Sequence, residues 1–294
     1  MSESNPTTRA KAHNSVYQII TDRILELLDQ GTIAWQKPWT SGGFPKNIVS
    51  KKSYQGINLF LLSIMPYSNP YWLTYKQAQK LGGNIRKGEK STMVVYWATF
   101  EKKVLNEKGE QEVKKIPVIK YYRVFNLEQT ESIDLPDTST ETFEHNPIEI
   151  AESIINDMPN APELTNHDSC RAFYRPSADV INVPDKQYFT QIAKYYSTMF
   201  HELAHSTGHQ NRLNRKGITE FAFFGTHEYS REELVAEMTA SMLCGVTGID
   251  NNTIENSAAY IDGWRRKITK DPKLIIQAAS QAQKAANFIQ GIQS

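Results

Sequence analysis

The sequence predicts an α+β protein of two domains: an N-terminal α+β half and a C-terminal, mainly helical half with a small sheet. Three observations carry that prediction. Helical periods and a long hairpin signal share the first 130 residues, whereas helical periods dominate the last 147. Residues 131–147, ESIDLPDTSTETFEHNP, are acidic, rich in Thr and Pro and without periodicity, which suits a linker between domains at 1–130 and 148–294. The charge also divides there: residues 1–130 hold 19 Lys+Arg against 10 Asp+Glu, and the remainder 14 against 22, so a net charge of +1 conceals halves of +9 and −8. Such asymmetry points to a polyanion-binding module joined to something different.

The elements follow in chain order. SVYQIITDRILELLDQG places Val16, Ile19, Ile20, Ile24, Leu27 and Leu28 at helical spacing, with Gly31 as the stop. A Trp-, Pro- and Gly-containing loop leads to a short helix from about Gly56, and YKQAQKLGG is another closed by glycines. STMVVYWATFEKKVL and QEVKKIPVIKYYRVFNLEQT, joined at NEKG, form a hairpin. Beyond the linker, IEIAESIINDM is a short helix, and RAFYRPSADVINVP a strand pair turning at Pro176. A long amphipathic helix spans 188–208, another 230–244, and an Ala- and Gln-rich helix ends the chain. No internal repeat is present.

Composition narrows the class. With 39% hydrophobic and 22% charged residues the chain reads as an ordinary soluble globular protein. No stretch approaches the roughly 20 apolar residues of a membrane span, and MSESNPTTRAKAHNS lacks a signal-peptide core. The expected compartment is cytoplasmic, with no membrane partner. Cys170 and Cys244 build no disulfide framework and no Cys-x-x-Cys pair, so both are expected to be buried as small apolar residues.

FHELAHSTGHQN, from Phe200 to Asn211, holds three of the seven histidines. On a helix His201 and His205 lie one turn apart on one face, so both imidazoles can address one metal ion, and Glu202 is placed to take a proton from water as general base. Phe189, Ile192, Tyr196, Met199, Phe200 and Leu203 form the stripe that buries this helix. A catalytic site of this type needs a third donor. Asn211 stands where the metzincin pattern requires histidine, which disfavours that class. His209 lies beyond a helix-ending glycine. SREELVAEMTASML carries Glu233 and Glu237 one turn apart: Glu233 is expected as ligand and Glu237 as the group holding a histidine in its ligating tautomer, an assignment that can be exchanged. One divalent metal is implied, zinc first and manganese as alternative. Tyr174 is a candidate to line the cleft, with Asp179 bracing it, and His209, His227 and Tyr229 are candidates to stabilise an oxyanion.

The basic half interleaves aromatic and cationic residues. Candidates to hold DNA are Trp35, Lys37, Trp39, Lys46, Lys51, Lys52, Tyr54, Trp72, Lys76, Arg86, Lys87 and Lys90, with Tyr75 among them. Stacking surfaces beside cations suit unpaired bases and their phosphates, and neither a basic recognition helix nor a zinc finger is evident. Single-stranded DNA is therefore the expected partner. A zinc nucleobase deaminase is excluded by the missing Pro-Cys-x-x-Cys pair.

WQKPW, KNIVSKKSYQGIN, YWLTYKQAQKLGGNIRKGEKSTMVVYW and YYRVFN resemble the N-terminal domain of ArdC-type antirestriction proteins of conjugative plasmids. FHELAHSTGHQNRLNR and SREELVAEMTASMLCG resemble their zincin-like metallopeptidase domain. The resemblance spans nearly the whole chain. It implies single-stranded DNA binding by the first domain, a metal site on His201, His205 and the Glu233 helix, and protection of incoming plasmid DNA from host restriction during conjugation. Two other readings stay open: a DNA-associated metalloprotease whose proteolysis of a protein substrate is the main function, and a pure DNA-binding protein with a vestigial metal site.

Overall fold

The computed structural model describes residues 15–36, 43–105, 111–133, 146–168, 171–220, 227–251 and 257–293. Most of the expected linker, with Lys37, Trp39 and Cys170 among the singled-out residues, lies outside them.

Helix α1 (Val16–Asp29) opens at Ser15, whose Oγ accepts from Gln18 N at 3.2 Å. Gly31, at φ +75°, lets Thr32 N return to Leu27 O at 2.8 Å and ends it. Strand β1 (Lys46–Asn47), helix α2 (Ile57–Ser63) and strand β2 (Tyr71–Leu73) follow. A capping box between Thr74 and Gln77 starts α3 (Tyr75–Lys80), before the short strand β3 (Asn84–Ile85). The hairpin is β4 (Thr92–Leu105) against β5 (Gln111–Asn126), in register from Thr92↔Val124 to Leu105↔Gln111. These strands form a sheet of order β1-β2-β5-β4, antiparallel except for the β1–β2 pair. Strand β6 (Thr130–Glu131) pairs with β3, so the chain is still strand where the linker was expected to begin.

The second half starts with α4 (Pro147–Asn156), capped by Asn146. Strands β7 (Glu163–Thr165), β8 (Phe173–Arg175) and β9 (Val180–Asn182) form a sheet of order β7-β9-β8, with β8 antiparallel and β7 parallel to β9. The expected strand pair is β8–β9, turning through Pro176 to Asp179; β7 had no sequence signal beyond three residues. Then come α5 (Ile192–Ser206), the single turn α6 (Lys216–Thr219), α7 (His227–Thr247), α8 (Ala258–Lys270) and α9 (Leu274–Ile289). Helix α7 is central. Leu234, Val235, Ala236, Met238, Ala240 and Leu243 are all buried, leaving no apolar stripe because neighbours cover it on several sides.

Although the sequence predicts two domains, the two halves share one core. Ile20, Ile24 and Leu28 of α1 and Phe60 of α2 belong to the same buried cluster as Leu243 of α7, Trp264 of α8 and Ile275 of α9. Polar links cross the same boundary: Thr21 Oγ1 donates to Pro272 O at 2.9 Å, and Gly56 N to Gln283 Oε1 at 3.1 Å. Two smaller clusters, around Trp72 and around Leu73, belong to the N-terminal half alone.

Candidate metal centre

Helices α5 and α7 bring three donors together. His201 Nε2 and His205 Nε2 are 3.1 Å apart, and the Glu233 oxygens lie 3.6 Å from each of them. Donors about 2.0–2.1 Å from a tetrahedral ion are separated by about 3.4 Å. The three side chains therefore stand at ligand spacing, and their chemistry, two imidazoles and a carboxylate, is that of a divalent metal site. His209, past the end of α5, is outside the trio; its Nδ1 accepts from Asn211 N at 3.3 Å.

The group that orients His205 is Glu232, not the expected Glu237. Glu232 Oε1 faces His205 Nδ1 at 3.4 Å, which leaves Nε2 directed to the trio. Glu232 is buried and would be expensive as a bare anion, so it needs a cation. Arg215 supplies it in a two-pronged contact, Nε to Oε2 at 2.9 Å and Nη2 to Oε1, while also donating to Thr207 Oγ1 at 2.6 Å and Ala204 O at 2.7 Å. Burial pushes the Glu232 carboxyl up, but Arg215 outweighs it and holds the pKa at about 2. Gly208 makes this possible. A Cβ there would meet Ile218 Cγ1 at 2.5 Å and Arg215 Nη2 at 3.1 Å, so only glycine lets the α6 segment close over the helix end.

Burial depresses the His205 imidazole, yet Glu232, Glu233 and Glu202 around it raise its pKa to about 9. The Glu233 carboxyl goes the other way: burial opposes it, but both histidines hold it at about 2. The cluster is thus organised to surround positive charge.

Glu237 has a different set of partners. It is half-buried where the halves meet: Trp35 Nε1 donates to its Oε2 at 2.9 Å from the N-terminal half, and the Tyr260 hydroxyl of α8 donates to the same oxygen. Desolvation raises its pKa despite both bonds. One helical turn separates it from Glu233, and the neighbouring Glu232 points where the histidine is. Arg215 and Glu232 escaped sequence reasoning, although NRLNR and EEL contain them; an adjacent pair of acids offers no local clue to which one faces the metal helix.

A cleft of about 620 Å³ opens over the donors. Strand β8, an edge strand of its sheet among the described residues, forms one wall with Phe173, Tyr174 and Arg175; Glu202 and Tyr229 also line it. Tyr174 donates to Asp179 Oδ1 at 2.8 Å, and Arg212 binds Asp179 and donates to Ser206 O at 2.7 Å, tying the strand turn to α5. Tyr229 bonds Glu233, and burial together with that carboxylate raises its pKa to about 12. The side chain of His227 lies outside the described residues.

Among the DNA-binding candidates, Lys51, Lys52, Lys76, Arg86, Lys87 and Lys90 are exposed, and Lys46 is half-buried. Lys46 and Lys51 place their Nζ 4.8 and 4.7 Å from the Tyr71 ring centroid. Arg86 is partly committed to Glu89 at 3.0 Å and to Thr130 O at 3.2 Å. Trp35, Tyr54 and Trp72 are corrections. Their rings are buried, Trp35 in the shared core and the other two under the sheet, so none offers a face for stacking; their large apolar area decided the matter over neighbouring lysines.

A His-Glu-x-x-His helix packed on a glutamate-bearing helix, beside a small sheet with its edge open to the cleft, defines a zincin-like metallopeptidase domain. Residues 150–281 match the family described as a zincin-like metallopeptidase, and residues 14–125 that of the N-terminal domain of anti-restriction factor ArdC. The antirestriction protein ArdC of plasmid R388 has the same fold over 95% of this chain and 99% of its own in its metal-free form, at 35% identity and a TM-score of 0.75. Its Mn(II)-bound form gives 0.74 at the same identity, over 94% of this chain and 97% of its own. The chain belongs to the ArdC family of antirestriction proteins. It is also 34% identical to DNA primase TraC of Escherichia coli across 95% of its own length, while spanning 27% of that primase. No helix among the described residues is long and apolar enough to cross a membrane.

Proposed function

We propose that this protein binds single-stranded DNA through residues 1–130 and protects incoming plasmid DNA from host restriction during conjugation, in the cytoplasm. The C-terminal half, residues 148–294, carries a metal centre of His201, His205 and Glu233, with zinc as the expected ion and manganese as the alternative. The observation that supports this reading best is the convergence of three donors at 3.1–3.6 Å in a chain of the ArdC family.

A divalent ion held there supplies Lewis-acid polarisation of a carbonyl and lowers the pKa of water. The protein's own groups would do the rest. An extended peptide pairs with the edge of β8 across the cleft. Glu202, buried beside His201, takes a proton from water and hands it to the leaving amine. Tyr229, whose hydroxyl bonds Glu233, lines the cleft and would have to turn from that carboxylate to reach an oxyanion.

The second reading, a protease acting on a protein substrate on DNA, is favoured by this pairing of an open edge strand with the metal centre. Glu202→Gln separates the two, since it leaves all three ligands in place. In a conjugation-restriction assay, protection by the Gln variant at the parental level assigns the effect to DNA binding. Loss of protection with metal content and DNA affinity intact assigns it to hydrolysis, and sinks the binding-only reading.

A further inference from the structure

The β4–β5 hairpin carries aromatic side chains that the shared core does not use. Fourteen residues of strand extend roughly 45 Å. Val94 and Val95 are buried, but Tyr96, Phe100 and Tyr122 are 44%, 57% and 38% exposed. Exposed apolar surface of this size needs an explanation in a folded protein.

The register sorts these residues. Val94↔Tyr122, Tyr96↔Lys120, Ala98↔Val118 and Phe100↔Ile116 all stand on one face. The Tyr96 and Tyr122 rings touch edge to face, with centroids 5.8 Å apart. Lys120 lies directly across from Tyr96, and Lys114 lies one same-face step beyond Ile116. From Thr92↔Val124 to Phe100↔Ile116 this face holds no carboxylate, and among the described residues neither Lys120 nor Lys114 has an acidic partner. The opposite face is occupied nearer the body: Met93, Val95 and Ile119 pack on the core, and Trp97 meets Tyr17 at 6.5 Å.

Rings at sheet spacing, with cations among them and no anions, suit a ligand that is flat, apolar and negatively charged at its edge. An apolar protein surface would have to bury the lysines without partners, which is costly. Bases stack on the rings, and phosphates reach the ammonium groups. We infer that the face carrying Tyr96, Phe100, Tyr122 and Lys120 is the stacking platform on which the N-terminal half holds single-stranded nucleic acid. This rests on the reading that residues 1–130 bind single-stranded DNA, and it locates that binding on the hairpin.

The test uses the full chain and fluorescence anisotropy with a labelled oligothymidylate. Tyr96→Ala with Phe100→Ala should weaken binding by roughly tenfold or more, whereas Tyr96→Phe with Phe100→Tyr should stay within about twofold. Lys120→Gln should reduce the slope of log affinity against log salt by about 0.7. Should the alanine pair lower the melting temperature, photocrosslinking of the wild-type protein to a 5-bromouracil oligonucleotide decides: adducts on β4 or β5 peptides support the platform, and adducts confined to other segments overturn it. Wild-type binding with an unweakened, folded alanine pair overturns the platform but keeps single-strand binding. No wild-type binding at all overturns the single-strand reading itself.

Discussion

The candidate metal centre and the proposed platform on the hairpin are opposite solutions to presenting chemistry. At the metal centre each charged group has a neighbour that holds it: His205 leans on Glu232, Glu232 on Arg215, and Arg215 on Ala204 O and Thr207. On the hairpin Tyr96 and Tyr122 touch each other edge to face, but both they and Phe100 keep more than a third of their surface exposed. A small ion demands donors held to fractions of an ångström, so the protein orders them before it arrives. A flexible strand of nucleic acid tolerates a surface whose contacts form when it binds.

That contrast can be broken most severely at Arg215. Arg215→Ala leaves Glu232 buried without a cation, and a loss of about 3–5 kcal/mol in urea unfolding is expected, together with a roughly 10- to 100-fold drop in metal affinity by calorimetry. Unchanged metal affinity in a folded Arg215→Ala protein would show that the chain of support stops short of His205. Oligothymidylate binding should not change in either case.

Trp35→Phe tests whether the two regions are separate. It removes the indole donor from a half-buried carboxyl while keeping an aromatic ring, and should cost about 1–3 kcal/mol of stability. Metal and DNA affinity should both stay within about twofold. A larger change in either would mean that the contact between Trp35 and Glu237 couples the halves.

The smallest effect is expected at Asp179. Burial raises its pKa, but the Arg212 and Tyr174 bonds outweigh that and hold it below the ordinary carboxylate range. A depressed folded value stabilises the protein above the unfolded pKa, and that contribution is lost as pH falls through the folded one. Asp179→Asn should therefore unfold more easily than the parent at neutral pH, with the difference narrowing as pH drops below about 4. A constant difference across an acid titration followed by circular dichroism would contradict this.

Local order made much of this protein legible. The helices α1, α5, α7 and α9 follow from apolar spacing, and the hairpin from two β-rich runs about a loop. His201 and His205 follow from i,i+4 geometry on one helix, and Glu233 was reached because a third donor was required. The expected roles of Trp35, Tyr54 and Trp72 in stacking were not met, since one-dimensional neighbourhood does not tell a buried ring from an exposed one. Tyr96 and Phe100, on the proposed platform, lie in a strand-forming run, where the sequence alone does not tell an exposed ring from a core one.

By itself, then, the sequence determined the elements, the basic and acidic halves and the two histidines, because each depends on residues a few positions apart along one chain segment. Only tertiary structure decided that α1 and α2 complete the C-terminal core, and that Trp35 caps Glu237 from the other half. It also decided that Glu232 rather than Glu237 steadies His205. Those outcomes depend on which surfaces meet across up to 251 residues of chain, where the energy of burying apolar area and of pairing buried charge outweighs any local preference.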